Sequence, residues 1–493
     1  MMNLTSVPEL LGGSDGTPPI RIPWTGNVRI TSRVRRLIDT RTFQRLRRVR
    51  QLGTVNLVYP GASHTRFEHS LGTYEMARRL AWHLRLPGGH SRSLFCGTDT
   101  GSGETLAVGG QAGLSDRQVT LLLLAALLHD VGHYPFSHVV EEVAGELGDQ
   151  LSLTDVRHEE RARDLILNDD DLCVAIVEDW GILPEDVVRV IDDSSIAQNN
   201  EERCLRQLLG GPINPDKLDY LGRDSQHVGV PYGHGIDYQR LLDAMVLLDT
   251  GELAVDHKGI TAVETLLFAS YMMYREVYWH HTSRAANAML KLAIKRGHET
   301  GEVPFTAFSR MDDEEALEVL SRSRDDLVQQ LTEALRGPGR RIYKRLLRID
   351  LQPVGETTVP PRAYLYGRGE TGGRYLSLEG RTPLSRWLRD VCGTGGTPEP
   401  DLDEFRALLS SGYQRRAGRD LQPHEVLFDG VGLQKTLSFN VPVLTAGGEI
   451  QSAANPEISV LTASIAKNFR RQGLSLFIFS HPDTSDALIQ ALQ

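Results

Sequence analysis

The run Val119–Leu128 is apolar at every position except Thr120 and stops on the ionisable doublet His129-Asp130. It is about half the roughly 20 residues that a membrane span needs. It therefore reads as a helix, from about Asp116 into His129, buried on all sides, which commits the chain to a core of packed helices. A histidine and a carboxylate ending such a helix are costly to bury unless something compensates, and a metal ion does so directly.

Helical spacing recurs on both sides of that run. Val34, Leu37, Ile38, Phe43, Leu46 and Val49 keep the period, with one break near Thr40-Arg41, and Phe67–Leu86 keeps it again. So do Arg157–Leu167, Glu185–Ile191, Glu201–Leu209, Pro215–Asp224 and a long stretch Ala262–Arg296. Residues 1–20, rich in Gly, Ser and Pro, read as a flexible leader, and 87–115 as a surface insertion without periodicity. Past Asp350, strand-like runs at Ala363–Tyr366, Val426–Phe428, Leu437–Val441 and Ser475–Phe479 alternate with helical Asp403–Leu409 and Ile465–Gln472. The expected fold class is mainly α: a nearly all-helical core over 21–350 and a smaller α+β region over 351–493.

Composition matters where it excludes. Cys96, Cys173, Cys204 and Cys392 lie far apart with no Cys-x-x-Cys, which argues against a disulfide framework or a zinc ribbon and fits a reducing cytoplasm. The start, Met1-Met2-Asn3-Leu4-Thr5, has neither the basic nor the apolar segment of a secretory signal, so a cytoplasmic location without membrane attachment is expected. A net charge of −10 disfavours indiscriminate binding to polyanions, yet residues 21–50 hold ten arginines against the single acid Asp39. Arginine's planar fork suits phosphate. The plainer reading is a solvated face paired with acids elsewhere in the fold, and the sequence leaves both open.

Four sites gather histidine and aspartate: Ser63–Ser70, Leu128–His138, Arg157–Glu160 and Asn214–Asp224. Neutral imidazoles with carboxylates suit Mn, Fe, Co, Ni and Zn, with Mg where oxygen ligands dominate. Histidines recurring beside acids on successive helices point to a metal centre rather than to isolated core residues.

His69…His129-Asp130…Asp216 resembles the H…HD…D signature of the HD-domain metal-dependent phosphohydrolases. Ile38–Arg47, Gln51-Leu52-Gly53 and Tyr59–Gly72 are similar to its dGTPase-like branch, the deoxynucleoside triphosphate triphosphohydrolases. His129-Asp130-x-Gly-His133-x-Pro-Phe-Ser-His138 and Asp216-Lys217-x-Asp219-Tyr220-x-x-Arg223-Asp224 add to the likeness, which covers about Val28–Lys291. That branch includes an animal enzyme joining a sterile-α-motif domain to an HD domain.

The resemblance implies that His69, His129, Asp130 and Asp216 hold a divalent metal of open identity. It implies that His133, His138 and His158 line the catalytic pocket, with Glu141 orienting a histidine and His138 the candidate general acid. Arg66 and Lys217 are implied on phosphate oxygens, Gln51 and Asp224 on the sugar 3′-hydroxyl, Leu52 beside the nucleotide, and Tyr220 against C2′, where it crowds out a 2′-hydroxyl. Tyr278, with His280, is implied to face the pocket. His64 reads as a loop residue or one that supports others, rather than a ligand.

The implied reaction converts a dNTP to deoxynucleoside and inorganic triphosphate. Asp39, Gln44 and Arg47 match positions that read an activator nucleotide at an oligomer interface. A homo-oligomer, dimer to hexamer, and a basic groove for single-stranded nucleic acid are further expectations. Two alternatives stand beside this: the same metal site acting on another nucleotide or oligonucleotide phosphoester, or a nucleotide- or nucleic-acid-binding regulator with vestigial hydrolysis. The chain departs from the pattern at Ile22–Gly26, which replaces an Asp-Pro-x-His-Gly turn. It departs again at Ser270, where an arginine often reaches the phosphates, with Arg275 and Arg284 as candidate substitutes.

Overall fold

A computed structural model describes residues 6–11, 15–85, 113–151, 157–194, 196–248, 250–350, 362–367, 372–376, 384, 386–388, 402–431, 438–472 and 475–492. The expected insertion at 87–115 lies outside the described residues, apart from Gly113–Ser115.

From the N-terminus come β1 (Ile20–Ile22), β2 (Gly26–Val28), α1 (Ser32–Ile38), α2 (Arg41–Gln44), α3 (Arg66–Arg85), α4 (Asp116–Leu128) and α5 (His138–Leu151). Next are α6 (His158–Asn168), α7 (Asp170–Trp180), α8 (Pro184–Ile191), α9 (Asn200–Gly210), α10 (Pro215–Val228) and α11 (Tyr238–Ala244). β3 (Met245–Leu247), β4 (Leu253–Asp256), α12 (Ile260–Met273), α13 (His281–Glu299), α14 (Asp313–Ser321) and α15 (Asp326–Arg336) follow. The remainder holds β5 (Lys344–Asp350), β6 (Arg362–Leu365), β7 (Arg374–Leu376), α16 (Leu402–Ala417), β8 (Val426–Val431), β9 (Pro442–Leu444) and β10 (Ile450–Ser452). α17 (Val460–Gln472), β11 (Ser475–Ser480) and α18 (Ser485–Leu492) complete it. The fold is mainly α, as the periodicity predicts.

Two compact units emerge, and they do not follow the expected linear split at 350. The first comprises residues 1–273, 308–314 and 438–463; the second comprises 274–307, 315–437 and 464–493. The physical reason is pairing across long sequence distances. β9 lies parallel to β4 with Val255 opposite Val443, in a four-stranded sheet ordered β10-β9-β4-β3. Strands of three or four residues carry too few positions for an alternation to show, so an all-helical expectation for the first 350 residues misses them.

In the first unit α4 is buried from Val119 to Leu128. Its start is a capping box: the Ser115 hydroxyl accepts from the Gln118 amide at 3.2 Å, and the Gln118 side chain accepts from the Ser115 amide at 2.8 Å. The break near Thr40 is a helix start, with the Thr40 hydroxyl accepting from the Phe43 amide. Part of the expected flexible leader is held in place. Pro8–Leu10 forms a 3₁₀ turn in which buried Glu9 accepts from Thr31 Oγ1 and Arg33 Nε, each at 2.8 Å. The long helix expected over 262–296 is interrupted by a π-turn at Tyr274–Tyr278 and restarts after His280, whose Nδ1 accepts from the Thr282 amide at 3.2 Å.

The second unit is built on an antiparallel sheet ordered β7-β6-β5-β11-β8. Every residue of the central β11 is buried, and Trp387, Phe405, Leu409 and Leu488 pack into one core with Ile478. Of the strand expected at Leu437–Val441, Leu437 lies outside the described residues, and the strand that follows, β9 of the first unit, begins at Pro442.

Candidate metal centre and its surroundings

Three helix ends supply the donors. His69 lies in the first turn of α3, His129 caps the C-terminus of α4, and Asp216 lies in the first turn of α10. That last turn is set by Asn214, whose Oδ1 accepts from the Lys217 amide at 2.7 Å, and by Pro215 at the first helical position. His69, His129 and Asp216 offer ligand atoms within 4.8 Å of one another. Asp130 joins them, with Oδ2 3.6 Å from His69 Nε2 and Oδ1 3.3 Å from His129 Nε2.

The donor set fits a divalent cation. His129 Nδ1 bonds the Ala126 carbonyl at 2.9 Å, which places the proton there, while its buried Nε2 makes no hydrogen bond among the described residues. A bare imidazole lone pair facing two carboxylates is unfavourable without a cation between them. His69 is held the same way. Its Nδ1 lies 3.0 Å from Asp219 Oδ2, leaving Nε2, 3.0 Å from Asp216 Oδ1, for the centre. Burial opposes charge on His69, yet Asp216, Asp219 and Asp130 together raise its pKa to about 10, a measure of how strongly the cluster calls for positive charge. Asp219 is the functional residue that reading the sequence for ligands alone passes over. Its signal was its spacing, three residues after Asp216 in a helix whose Arg223 grips it at 2.7 Å.

A second histidine group adjoins the first through Asp130. His133 Nε2 lies 3.2 Å from Asp130 Oδ1, and burial pushes the His133 imidazole well below its usual pKa, so it is neutral. Its ring stacks on His158 at 3.9 Å. Glu141 bonds both remaining histidines: Oε2 meets His138 Nδ1 at 2.7 Å, and Oε1 meets His158 Nδ1 at 2.9 Å. Burial alone would raise the Glu141 carboxyl, but these two bonds hold it below the ordinary carboxylate range. Both Nε2 atoms are thereby turned away from Glu141.

The two basic residues take distinct places. Arg66 reaches Asp130 Oδ2 at 2.5 Å and Ser137 Oγ at 2.8 Å. Lys217 donates to the Pro212 carbonyl at 2.6 Å, and burial lowers its pKa to about 8. On α10, Asp216, Tyr220 and Asp224 follow at four-residue spacing along one face. Asp224 Oδ1 bonds His64 Nε2 at 2.8 Å, and the Gln51 amide donates to the His64 carbonyl at 3.0 Å. Leu52 sits half-buried before the 3₁₀ turn Gly53–Leu57. Tyr278 belongs to the second unit, in the π-turn, with its ring 5.0 Å from that of Tyr274.

Residues 131–137 connect the two histidine groups, and their backbone is constrained. Phe136 and Ser137 hold φ of 55° and 53°, the left-handed region that bulky residues avoid. Arg45 donates to the Val131 carbonyl at 3.1 Å and to that of His133 at 2.6 Å, and Arg161 donates to Gly132. Asp313 Oδ1 accepts from the Phe136 amide at 2.8 Å, and its Oδ2 from the Arg50 amide at 3.1 Å.

Among the described residues, four of the ten clustered arginines pair with acids from elsewhere in the chain. Arg33 meets Glu9, Arg36 meets Glu178 and Asp179, Arg48 meets Asp312, and Arg50 meets Glu314. Of the activator residues, Gln44 accepts from Arg47 Nε at 2.7 Å and donates to the Ile38 carbonyl at 2.6 Å, while Asp39 is exposed at the end of α1. Arg284 and Arg275 are engaged by Asp429 at 2.8 Å and Glu276 at 2.6 Å, and the buried Ser270 hydroxyl makes no hydrogen bond among the described residues. Among the described residues no helix is long and apolar enough to cross a membrane.

Residues 66–208 match the HD domain and residues 236–363 the HD associated region. An uncharacterized protein of Bacillus subtilis, YwfO, is 34% identical over 270 residues, covering 54% of this chain and 53% of its own length. The deoxynucleoside triphosphate triphosphohydrolase SAMHD1 of Gallus gallus is 25% identical over 382 residues, covering 69% of this chain and 58% of that protein. The chain thus spans little more than half the length of these relatives. A crystal structure of a hypothetical protein from Aquifex aeolicus superposes with a TM-score of 0.64 at 25% identity, covering 96% of this chain and 99% of that one. With the signature histidines and aspartates converging on one centre, the chain carries an HD domain over residues 66–208 followed by an HD associated region over 236–363.

Proposed function

We propose that this protein is a metal-dependent phosphohydrolase acting on dNTPs, releasing deoxynucleoside and inorganic triphosphate. The observation that carries the reading is the meeting, on Asp130, of a two-histidine, two-carboxylate cluster with a Glu141-oriented histidine group. The likeness to SAMHD1 supports the choice of nucleotide. A divalent cation held by His69, His129, Asp130 and Asp216 would neutralise phosphate oxygens and make water a better nucleophile at neutral pH.

The chain's own groups do the rest. His138, with Nδ1 bonded to Glu141 and its side chain 40% exposed, is placed to give a proton from Nε2 to the leaving 5′-oxygen. His158 and neutral His133 shape the wall beside it. Arg66 and Lys217 offer charge to the phosphates, Lys217 being still mostly protonated at neutral pH. Along α10 the phosphate end of the substrate lies at Asp216, Tyr220 packs against C2′ one turn on, and Asp224 with Gln51 bonds the 3′-hydroxyl one turn further. On the same reading the protein is a homo-oligomer, and an activator nucleotide is read at Asp39, Gln44 and Arg47. Arg33, Arg36, Arg48 and Arg50 are paired with acids, which weighs against a regulator that merely binds nucleic acid.

The test is incubation with each dNTP and NTP, singly and mixed, with Mn²⁺, Mg²⁺ or EDTA, and separation of products by ion exchange. Deoxynucleoside with intact triphosphate, lost with EDTA and in the His129→Ala/Asp130→Ala variant, is the expected result. No turnover of any dNTP by metal-loaded protein, alone or in mixtures, would sink the reading.

A further inference from the structure

We infer that His64 is a positioning residue for the sugar, fixing the Asp224 carboxylate beside Gln51 so that the pair reads the 3′-hydroxyl of the bound nucleotide. The inference rests on the dNTP reading above and adds the group that makes its sugar contact directional.

His64 and Asp224 are buried together, with side chains 0% and 2% exposed and 2.8 Å between Nε2 and Oδ1. Facing a carboxylate, Nε2 is the protonated nitrogen and donates. The other nitrogen, Nδ1, is buried and makes no hydrogen bond among the described residues. The imidazole is otherwise held by stacking on His227, centroids 4.3 Å apart and planes within 17°. A hydrophobic side chain would pack there as well, so what the imidazole adds is a donor for Asp224. An ionised carboxylate is acceptor-only. With Oδ1 bonded to His64, the carboxylate is fixed in rotation and its other oxygen has a defined direction.

The same residue places Gln51. Its carbonyl accepts from the Gln51 amide, the Arg66 amide donates to the Val49 carbonyl at 2.9 Å, and Arg50 and Thr65 form an antiparallel bridge. Residues 49–51 and 64–66 are therefore one paired unit, and Gln51 cannot shift without His64. The Gln51 Oε1 is buried and makes no hydrogen bond among the described residues. A buried acceptor of this kind calls for a donor, and a hydroxyl supplies one while its oxygen can still accept. Close packing maintains the placement: any side chain at Gly61 would overlap the His227 carbonyl.

The experiment compares kcat/KM for a dNTP and its 2′,3′-dideoxy counterpart in the Mn²⁺-loaded 493-residue chain. His64→Leu removes the donor at similar volume, His64→Gln keeps an N–H near the Nε2 position, and His64→Asn cannot reach it. The preference for the 3′-hydroxyl is expected to fall about tenfold in His64→Leu, through KM more than kcat, and to be largely kept in His64→Gln. Loss of both substrates in equal proportion, or an unchanged preference, overturns the inference. Should His64→Leu fail to fold, a preference kept by Gln and lost by Asn supports it, and equal behaviour of the two refutes it. A wild type that cleaves no dNTP refutes the parent reading instead, and this inference with it, in a control visible before any variant is read.

Discussion

Glu141 serves two imidazoles with one carboxylate, and that economy makes it vulnerable. Glu141→Gln leaves one oxygen and adds an amide, so only one of His138 and His158 keeps an acceptor at Nδ1. Turnover is expected to fall about 100-fold with the bound metal retained, to be read by steady-state kinetics beside elemental analysis. Asp313 makes a prediction about pH. Burial raises its carboxyl from 3.8 to about 6, against the two amides it accepts from. The folded protein then holds that proton more tightly than the unfolded chain does. Its contribution is fully present below pH 3.8, is lost as the pH rises through about 6, and is flat above. Integrated over that window the loss is on the order of 3 kcal/mol. Asp313→Asn should remove that slope, visible as the difference between denaturant midpoints of wild type and variant from pH 4 to 7. Both residues show what a sequence yields and what it withholds. Glu141 is three residues from His138 in a helix, so its partner can be read directly. Asp313 bonds Phe136 and Arg50 from 177 and 263 residues away, and nothing local announces it.

At the level of elements, α3 and α10 approach as closely as they do because Gly72 has no side chain. A Cβ there would overlap the Asp219 carboxylate and the Arg223 guanidinium. Gly72→Ala should therefore push Asp219 off His69 and weaken metal affinity about 10- to 100-fold, at a stability cost of about 1–3 kcal/mol. Isothermal titration with Mn²⁺ and thermal melts check the two parts, and unchanged affinity would mean that Asp219 does not orient His69. The long periodic helices were legible because fourfold spacing repeats over many residues. α4 was read to within a residue or two from its apolar run alone. The π-turn at Tyr274–Tyr278 was not, since its apolar period continues unbroken through the interruption. The arginines of 21–50 were visible as a cluster, but their partners at Glu178, Asp179, Asp312 and Glu314 lie on elements that meet them only in the fold.

For the whole molecule, the boundary at 350 suggested by composition cuts through a sheet. A chain ending at Asp350 lacks β9 and β10 and leaves the edge of β4 without its partner. Such a fragment is expected to aggregate on size-exclusion chromatography through that open strand edge, and a monodisperse folded fragment would contradict the pairing. The change of composition was real, but it marked a change of secondary structure and not a boundary between units. The same parallel pair has a consequence in time. β4 leaves the ribosome about 190 residues before β9, and at 5–20 residues per second that interval is roughly 10–40 s. Throughout it, the helices of the metal centre have all been made, while the sheet beside them still shows a bare edge. A nascent chain of this protein is thus a client for whatever shields unpaired strands during synthesis, and slowing translation between residues 260 and 440 should lower its soluble yield.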